Sequence, residues 1–439
     1  MRVAMVMPMA PESAIADVML QAVPALFEEW DLDIWCPTED AYLNGPVRVR
    51  PYAQPHQAVL DELSYYDLVV YVLGDSPWHA RILPLALRLP GLVVLHDASL
   101  TNLVRTSAIE QDEMAALVAH VESVYGPSAA ATIRTAQVEN GRDGWLRFCA
   151  EVPLGEYVVG RSLGAVVHSQ WHARSVDGYL LGDVTVAPLP VPSVRTHFAA
   201  GPSTARPLLD SLPDDAVLLV TLGTVNANRG IDTLLEAIAS DALLTEKVHL
   251  WAVGSVEDNT RLDLSRTARS LGLQDRFRTV GRVGDASLEA ILQRADVAAA
   301  LRDPVLEGQS ASVLTQLLSG IPVLVLDHAH YSELPDDVVL KISPSDRVTG
   351  IRDALRMLVE RPEERAALGE RGRSYVLSTR TGDAYAEGLL DAGRRALAAR
   401  PAVHLVEDVG ARLRRLDLAD RPAVAERVTA LAFDLFDLA

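Results

Sequence analysis

The sequence predicts an α/β fold with two doubly wound parallel sheets, and two observations support this prediction. The chain has 439 residues, which is too many for one ordinary hydrophobic core and favours two domains of about 200 residues each. Short apolar runs recur along both halves, and each is followed by a stretch with helical spacing. Runs that are apolar on both faces are typical of strands in a covered parallel sheet, and their alternation with helices predicts right-handed βαβ units.

The first half contains five such runs before residue 190. Residues 14–30 show helical spacing, and residues 108–160 are predicted to be largely helical with a break at Gly126–Pro127. We expect these elements to form an N-terminal domain over residues 1–190. Its predicted strands are residues 3–9, 32–36, 67–74, 91–97 and 164–169.

After about Val184 the sequence becomes rich in Pro, Ala and Ser and shows no sustained hydrophobic periodicity, so residues 191–213 are predicted to link two domains. A second alternation then predicts a domain over residues 214–382, followed by a charged helical tail over residues 383–439. In such sheets ligands sit at the carboxyl ends of the strands, so a cleft between the domains is the expected site. The predicted strands are residues 216–223, 248–254, 276–281, 295–301 and 321–327.

The charge balance limits the partners of this chain. The net charge is −19 and the sequence pI is near 5.0, so we expect neither a nucleic-acid partner nor stable association with an anionic membrane. The N-terminus is interpreted as a first strand and not as a signal peptide, and no long uncharged apolar run predicts a membrane span. Cys36 and Cys149 predict neither a disulfide framework nor a zinc site, so a reducing cytoplasm is the expected location.

Six segments of the chain together resemble a known family. Four lie in the first half: PMAPESAIAD (8–17), YDLVVYVLGDSPWH (66–79), PGLVVLHDASL (90–100) and LGAVVHSQWHA (163–173). Two lie in the second half, LVTLGTVNANRGIDTLLEAI (219–238) and residues 280–337. Their order and spacing resemble the retaining GT-B glycosyltransferases called glycosyl transferases group 1. The resemblance implies two doubly wound Rossmann-like domains facing a cleft, a helical C-terminal tail, and a nucleotide-sugar-dependent retaining glycosyltransferase.

The second half contains a strand–loop–helix segment suited to a diphosphate. Gly223 ends a predicted strand, and the helix start after it offers free N–H groups and positive potential. The resemblance implies that Thr224 and Arg229 stand where the family has an Arg and a Lys on the phosphates. Arg229 keeps a cation as a planar guanidinium, whereas Thr224 has no charge.

A second helix start follows Glu307, and the resemblance implies further donor contacts around it. Glu307 stands where the family has a Glu that binds hydroxyls of the transferred sugar, and Thr315 stands where a second Glu binds the ribose. Glu333 is also expected on the donor side. The remaining expected donor-binding residues are Gln309, Ser310, Ala311 and Ser312 near the phosphates, and Arg282 and Val283 near the nucleobase.

The first half is expected to supply the acceptor side. His96 follows an apolar strand and should face the cleft, and the resemblance implies that it helps to hold the transition state. His96, Arg229 and Glu307 are therefore the expected catalytic residues. The expected acceptor-side residues are Ser13, Ala14, His79, Asp97 and His168.

The implied chemistry is electrostatic, since the protein would hold the charge that develops on the diphosphate and align the reactants. The expected co-substrate is a GDP- or UDP-sugar, with no bound cofactor and no metal. The DLD sequence at residues 31–33 spans a predicted strand start in the wrong domain, so it is interpreted as chance. The expected acceptor is a small soluble molecule, for example in antibiotic or other secondary metabolism.

Other functions remain open from the sequence. The departures at Thr224, Arg229 and Thr315 favour a degenerate partner or regulatory protein with the same fold as the main alternative. Two further functions also stay open: a glycosyltransferase of cell-envelope or polysaccharide assembly, and a sugar-nucleotide epimerase. The chain could also form a homodimer. A pyridoxal-phosphate phosphorylase needs a lysine that forms a Schiff base with the cofactor. This function is disfavoured because the two lysines, Lys247 and Lys341, lie outside the donor-site segments.

Overall fold

The structure is a computed structural model of the chain. It describes residues 1–9, 14–38, 47–191 and 205–416, together with residues 424, 427, 430 and 431. Two parallel sheets with helices on their faces make up this part of the chain, which confirms the predicted fold class.

The first sheet has seven parallel strands in the order β3-β2-β1-β4-β5-β6-β7. The direction of strand addition reverses between β1 and β4, so the carboxyl ends of these two strands flank the natural ligand crevice of this sheet. The strands are β1 (Arg2–Val6), β2 (Asp31–Cys36), β3 (Arg48–Pro51), β4 (Leu68–Leu73), β5 (Leu92–Leu95), β6 (Gly164–Val167) and β7 (Val184–Val186).

In the part of the chain that the structure describes, nine helices lie along the sequence between β1 and β7, and a 3₁₀ turn, Pro77–His79, follows β4. The predicted helical region after residue 108 is divided among several helices, and two of them meet at Gly126–Pro127, where the break was expected. The helices are α1 (Ala14–Glu29), α2 (Gln57–Leu63), α3 (Leu83–Arg88), α4 (Thr101–Glu110), α5 (Met114–Tyr125), α6 (Pro127–Thr135), α7 (Gly141–Glu151), α8 (Gly155–Val159) and α9 (Gln170–Val176).

The second sheet has six parallel strands in the order β10-β9-β8-β11-β12-β13. Its order reverses between β8 and β11, so this is the second expected ligand crevice. The strands are β8 (Val217–Leu222), β9 (Val248–Val253), β10 (Phe277–Gly281), β11 (Val297–Ala300), β12 (Val323–Leu326) and β13 (Leu340–Ile342).

The helices of the second half begin with a short one inside the predicted linker, whose residues 192–204 lie outside the described residues. Two 3₁₀ turns, Ala227–Arg229 and Ala329–Glu333, follow β8 and β12. The helices are α10 (Arg206–Leu209), α11 (Ile231–Ala239), α12 (Ala242–Lys247), α13 (Asp258–Ser270), α14 (Asp285–Arg294), α15 (Ala311–Leu318), α16 (Arg347–Glu360), α17 (Pro362–Thr379) and α18 (Gly382–Arg415).

The helix α18 packs against the first sheet and against α1, although it follows the second domain in the chain. Three contacts bring it close: a Cβ at Gly393 would lie 3.0 Å from Trp30, one at Gly382 would lie 2.6 Å from the carbonyl oxygen of Gln21, and the Tyr385 hydroxyl lies 3.5 Å from the sulfur of Met19. The region expected to be a helical tail therefore completes the core of the first domain.

Three edge strands, β3, β7 and β13, were not predicted. In β3, Arg48 and Arg50 donate hydrogen bonds from their Nε atoms to the carboxylate of Asp33, at 2.6 and 3.0 Å. Asp33 is buried in β2 and also accepts a hydrogen bond from Tyr66. The second aspartate of the DLD sequence thus joins two strands of the first sheet.

Candidate functional site

The carboxyl ends of the two sheets meet at one seam. The amides of Ala98 and Ser99, in the loop after β5, donate hydrogen bonds to the carbonyl oxygen of Leu306 at 2.8 and 3.0 Å. The amide of Gly308 donates in turn to the carbonyl oxygen of His96 at 2.9 Å. The loops that follow β5 and β11 are therefore joined by backbone hydrogen bonds, and the seam is closed at its centre.

Side chains extend this seam on both sides. Ser169, the N-cap of α9, donates from Oγ to the carbonyl oxygen of Gly308 at 2.8 Å. The side-chain oxygen of Gln309 accepts a hydrogen bond from the Leu189 amide, also at 2.8 Å. Gln309, expected to contact the donor, thus contacts the first domain in this structure.

The structure also gives Glu333 a role that the sequence did not predict. Its two carboxylate oxygens accept hydrogen bonds from the amides of Gln170 and Trp171, the first two residues of α9. A carboxylate at a helix N-terminus satisfies free N–H groups and interacts favourably with the helix dipole. Glu333 therefore caps a helix of the opposite domain, and it does not line the cavity described next.

A cavity of ≈ 250 Å³ lies between the start of α1 and the second sheet. It opens where β8, β9 and β10 end and where α15 begins, which is the region that the sequence predicts for the donor. Asp17, Val18, Leu222, Val253, Gly254 and Leu288 complete its lining. The lining residues predicted from the sequence are Ala14, Gly223, Arg282, Val283, Ala311, Ser312 and Thr315.

Arg229 lies against the backbone at the end of β8, beside this cavity. Its Nη1 donates to the carbonyl oxygen of Leu222 at 2.8 Å, and its Nε donates to that of Thr224 at 3.0 Å. Gly223 has a φ of 103°, and a Cβ there would lie 2.2 Å from Nη2 of Arg229. A glycine is therefore required for the guanidinium to occupy this position.

The charge of Arg229 persists at neutral pH. Burial, followed by the nearby charge of Arg302, lowers the pKa of Arg229 to about 10. The protein thus holds a fixed cation where the sequence predicts phosphate contact.

The N-terminus of α15 adds a second source of positive potential at the cavity. Ser310 is its N-cap, and its Oγ accepts from the Val313 amide at 3.4 Å and lies 3.0 Å from Oγ of Ser312. The Thr315 hydroxyl donates to the carbonyl oxygen of Ala311 at 3.0 Å, so it can act toward a ligand only as an acceptor in this arrangement. The helix start has the features of an anion-binding site.

Glu307 is buried, and its carboxylate contacts other side chains of the second domain. Its Oε2 lies 2.6 Å from Nη1 of Arg302, and its Oε1 accepts a hydrogen bond from the Tyr331 hydroxyl at 2.9 Å. Burial alone raises the pKa of Glu307, but the charge of Arg302, followed by the effect of the nearby His330, outweighs it and holds that pKa well below its usual range. A carboxylate has lone pairs for about four hydrogen bonds, so sugar contact by Glu307 stays a prediction.

Arg302 and Tyr331 are functional candidates that sequence reasoning missed. Arg302 follows β11, next to the point where the strand order reverses, and its Nε is buried without a hydrogen-bond partner among the described residues. A charged residue at a strand's carboxyl end beside this crevice is a signal that could have identified it.

Three predicted histidines lie at the carboxyl edge of the first sheet, after β4, β5 and β6. Nδ1 of His79 lies 2.9 Å from the carbonyl oxygen of Val72, and Nε2 of His168 lies 3.2 Å from Nδ1 of His96. All three side chains are buried. Burial lowers the pKa of His79 and of His168 to about 4, and it lowers the pKa of His96 well below its usual value.

Asp97 lies beside these histidines and faces the seam. Its Oδ2 accepts a hydrogen bond from the Asp75 amide at 2.7 Å. Burial, followed by the charge of Asp75, raises the pKa of Asp97 to about 7. Ser13, expected on the same side, lies outside the described residues, whereas Ala14 is the first residue of α1 and lines the cavity.

Asp75 was not predicted as a site residue, and its carboxylate holds the start of α4 by hydrogen bonds. Its two carboxylate oxygens accept from the Leu103 amide at 2.8 Å and from the Asn102 side chain at 2.6 Å. Burial raises the pKa of Asp75 to about 6.

No group of three or more His, Cys, Asp or Glu side chains within the described ranges is arranged to hold a metal ion. The described helices include none long and apolar enough to cross a membrane.

Comparisons with known proteins agree with this geometry. The model of the family described as Glycosyl transferases group 1 matches residues 210–375, which include every part of the second sheet. A comparison with curated protein sequences finds no match.

Three solved structures, one of them a glycosyltransferase, share the fold over most of this chain. WaaG, a glycosyltransferase involved in lipopolysaccharide biosynthesis, is 14% identical, with a TM-score of 0.55 over 90% of this chain and 99% of that one. Sucrose-phosphate synthase (tll1590) from Thermosynechococcus elongatus is 15% identical, with a TM-score of 0.59 over 91% and 99%. Anabaena Alr3699/HepE in complex with UDP and glucose is 13% identical, with a TM-score of 0.56 over 89% and 98%. These likenesses identify the fold as GT-B.

Proposed function

From the premise that this chain has the GT-B fold and carries a glycosyl transferases group 1 domain at residues 210–375, we propose that it is a nucleotide-sugar-dependent retaining glycosyltransferase. The donor is a UDP- or GDP-sugar, and the acceptor is a small soluble molecule that enters from the first-domain side. The observation that carries this proposal is the cavity beside Gly223, where a fixed guanidinium and a helix N-terminus converge.

The charges at this cavity suit a diphosphate leaving group. Arg229 is held by two backbone carbonyls and needs little reorganisation to face a developing negative charge. The free amides at the start of α15 add hydrogen-bond donors without a further cation. Arg302 contributes a second buried guanidinium, whose charge Glu307 balances in the absence of a ligand group. The related HepE structure with UDP and glucose supports a nucleotide-sugar donor.

The first domain supplies groups suited to an acceptor hydroxyl. Asp97 faces the seam with a pKa raised to about 7, and His79 and His96 lie beside it as neutral rings. In this mechanism Asp97 and His79 orient the acceptor and His96 contacts a hydroxyl of the transferred sugar, while the diphosphate side of the cavity carries the developing charge. The acidic net charge of −19 favours an acceptor that is not embedded in an anionic membrane. Both cysteines are free, so we place the reaction in a reducing cytoplasm.

A second candidate function is a non-catalytic partner protein with the same fold. The specific observation that favours it is the closed seam, where the Gly308 amide and the His96 carbonyl bond directly and Glu307 is engaged by Arg302 and Tyr331. In the enzyme this seam has to open for substrates to enter. In the partner protein it stays closed.

Nucleotide binding tests the proposal. The purified chain is titrated with UDP, GDP and dTDP by calorimetry and by thermal shift, with AMP as a control nucleotide. A ligand at 100 times its Kd should stabilise the chain by about 2.7 kcal/mol. Failure of all three nucleoside diphosphates to bind contradicts the proposal. Binding without transfer or hydrolysis of the matching nucleotide-sugar, across a broad acceptor panel, favours the partner protein.

A further inference from the structure

We propose that His168 is a positioning residue that fixes His96 with its hydrogen on Nδ1, so that Nε2 of His96, a residue of the domain seam, keeps a bare lone pair. In consequence, His96 recognises a substrate group that donates a hydrogen bond, such as a hydroxyl or an amine. The part of this inference that concerns substrate rests on the proposed function, whereas the part that concerns the histidine pair does not.

The carbonyl oxygen of Ala187 determines which nitrogen of His168 carries the hydrogen. Nδ1 of His168 lies 2.9 Å from this oxygen. A carbonyl oxygen can only accept, so Nδ1 of His168 carries a hydrogen and donates it. The carbonyl is itself held in place, because the Ala187 amide bonds to the carbonyl oxygen of Val167 at 2.8 Å and α18 packs on the Ala187 side chain at Gly388.

The position of the hydrogen on His168 in turn determines which nitrogen of His96 is protonated. Burial lowers the pKa of His168 to about 4, so the ring is neutral at physiological pH and its second nitrogen, Nε2, has a lone pair. Nε2 lies 3.2 Å from Nδ1 of His96. A lone pair at this distance requires a donor, so Nδ1 of His96 carries the hydrogen. His96 is also neutral, and its own Nε2 is therefore unprotonated.

The free nitrogen of His96 is the end of this chain of hydrogen bonds. It is fully buried and has no hydrogen-bond partner among the described residues. An unsatisfied buried acceptor is destabilising, and a hydrogen-bond donor on a substrate would satisfy it. His96 lies at the seam, since its carbonyl oxygen accepts from the Gly308 amide. The lone pair is thus suited to a hydroxyl or amine, and it repels a carboxylate or phosphate oxygen.

The tautomer can be measured directly in the wild-type chain. Protein labelled with ¹⁵N-histidine is examined by long-range ¹H–¹⁵N correlation at pH 7, which identifies the protonated nitrogen of each ring, and His96→Phe assigns the His96 signal. We expect a neutral ring with hydrogen on Nδ1. A hydrogen on Nε2, or a charged ring, overturns the proposal without the need for any variant at His168.

Two substitutions at His168 test the positioning role. His168→Phe keeps a ring but removes the acceptor, so the Nε2-protonated form of His96 should become populated. His168→Gln retains an oxygen that can accept from Nδ1 of His96 and should preserve the original pattern. His79→Phe is the matched control, because His79 is an equally buried strand-end histidine that is bonded to Val72 and not to His96. An unchanged His96 signal in folded His168→Phe overturns the proposal.

The substrate contact is tested with UDP-glucose and its monodeoxy analogues. One analogue should bind the wild type about 2–12-fold more weakly than UDP-glucose, the equivalent of one lost hydrogen bond. The same analogue should differ from UDP-glucose by less than about twofold in His168→Phe. Equal binding of all analogues to the wild type overturns the substrate contact. If UDP-glucose does not bind at all, the proposed donor fails together with this contact, while the tautomer measurement still decides the role of His168.

Discussion

The carboxylate of Glu307 and the guanidinium of Arg302 form an ion pair at 2.6 Å, and the two side chains are largely removed from solvent, with exposed fractions of 10% and 17%. Separating two buried charges from water is costly, and their attraction repays this cost only while both partners are present. The pair is therefore a point at which the fold of the second domain and the chemistry of the site depend on the same contact.

Replacing Arg302 should destabilise the chain strongly. Arg302→Met leaves the Glu307 carboxylate buried without its cation, so we expect a loss of about 3–5 kcal/mol in the free energy of unfolding, measured with urea. The double variant Arg302→Met with Glu307→Gln should recover part of this loss, because the uncompensated charge is gone. Arg266→Met removes an exposed ion pair with Asp263 and serves as the control, with an expected change within about 0.5 kcal/mol. A loss below about 1 kcal/mol in Arg302→Met would contradict this account.

Gly223→Ala should impair nucleotide binding by displacing Arg229. The new Cβ would lie 2.2 Å from Nη2 of Arg229, so the guanidinium has to leave the end of β8. We expect UDP to bind at least about tenfold more weakly, by calorimetry. Gly272→Ala is a matched control, because Gly272 also has a positive φ, 75°, but no atom within 4 Å of its added Cβ.

Both glycine variants should lose about 1–2 kcal/mol of stability from the left-handed backbone. Only Gly223→Ala should lose affinity. Equal affinity in the two variants would show that Arg229 does not contact the nucleotide.

Glu333→Ala should loosen the contact between the domains. The substitution removes the acceptor for the Gln170 and Trp171 amides, and a carboxylate at a helix N-terminus is worth about 0.3–1 kcal/mol at an exposed site. Hydrogen exchange at these two amides should accelerate about 2–5-fold. Glu363→Ala removes a carboxylate from the first turn of α17 and should leave both amides unchanged. Unaltered exchange in Glu333→Ala would mean that water or another group replaces the cap.

Asp97 should make stability depend on pH in a specified direction. Its pKa is raised from 3.8 to about 7, so the folded chain binds this proton more tightly than the unfolded chain. The resulting stabilisation is fully present below about pH 4 and is lost as the pH rises through about 7. Asn at this position stays neutral. Relative to the wild type, Asp97→Asn should therefore gain roughly 2–3 kcal/mol between pH 5 and pH 8.

Urea unfolding at the two pH values measures this gain. Asp258→Asn, at a side chain that is 92% exposed, is the control and should show no such dependence. A constant difference between Asp97→Asn and the wild type across this range would contradict a raised pKa at Asp97.

The central strands of both sheets and the edge strand β10 were predictable from the sequence, whereas the edge strands β3, β7 and β13 were not. β4 and β8 are buried along their whole length, so each is a continuous apolar run. β3 has the sequence Arg-Val-Arg-Pro, and it exists because Asp33 in the neighbouring strand holds its two arginines. Such a pairing depends on residues about fifteen positions apart, so no local period reveals it.

The candidate site shows the same division. Gly223, Arg282 and Thr315 come together around one cavity because the carboxyl ends of parallel strands share an edge, which the strand pattern implies. The contacts of Glu333 with α9 and of Gln309 with Leu189 depend on how the two domains close. Closure is set by the shapes of two surfaces, and a single sequence contains no periodic signal for it.

The position of α18 has a consequence for synthesis of the chain on the ribosome. The first domain needs this helix to cover Trp30 and Met19, yet α18 ends at Arg415, more than two hundred residues after β7. At a synthesis rate of roughly 5–20 residues per second, this apolar face of the nascent first domain stays uncovered for on the order of 10–45 s. Chaperone demand during translation should therefore fall on residues 1–186, and a chain that lacks α18 should aggregate through the first domain while the second still folds.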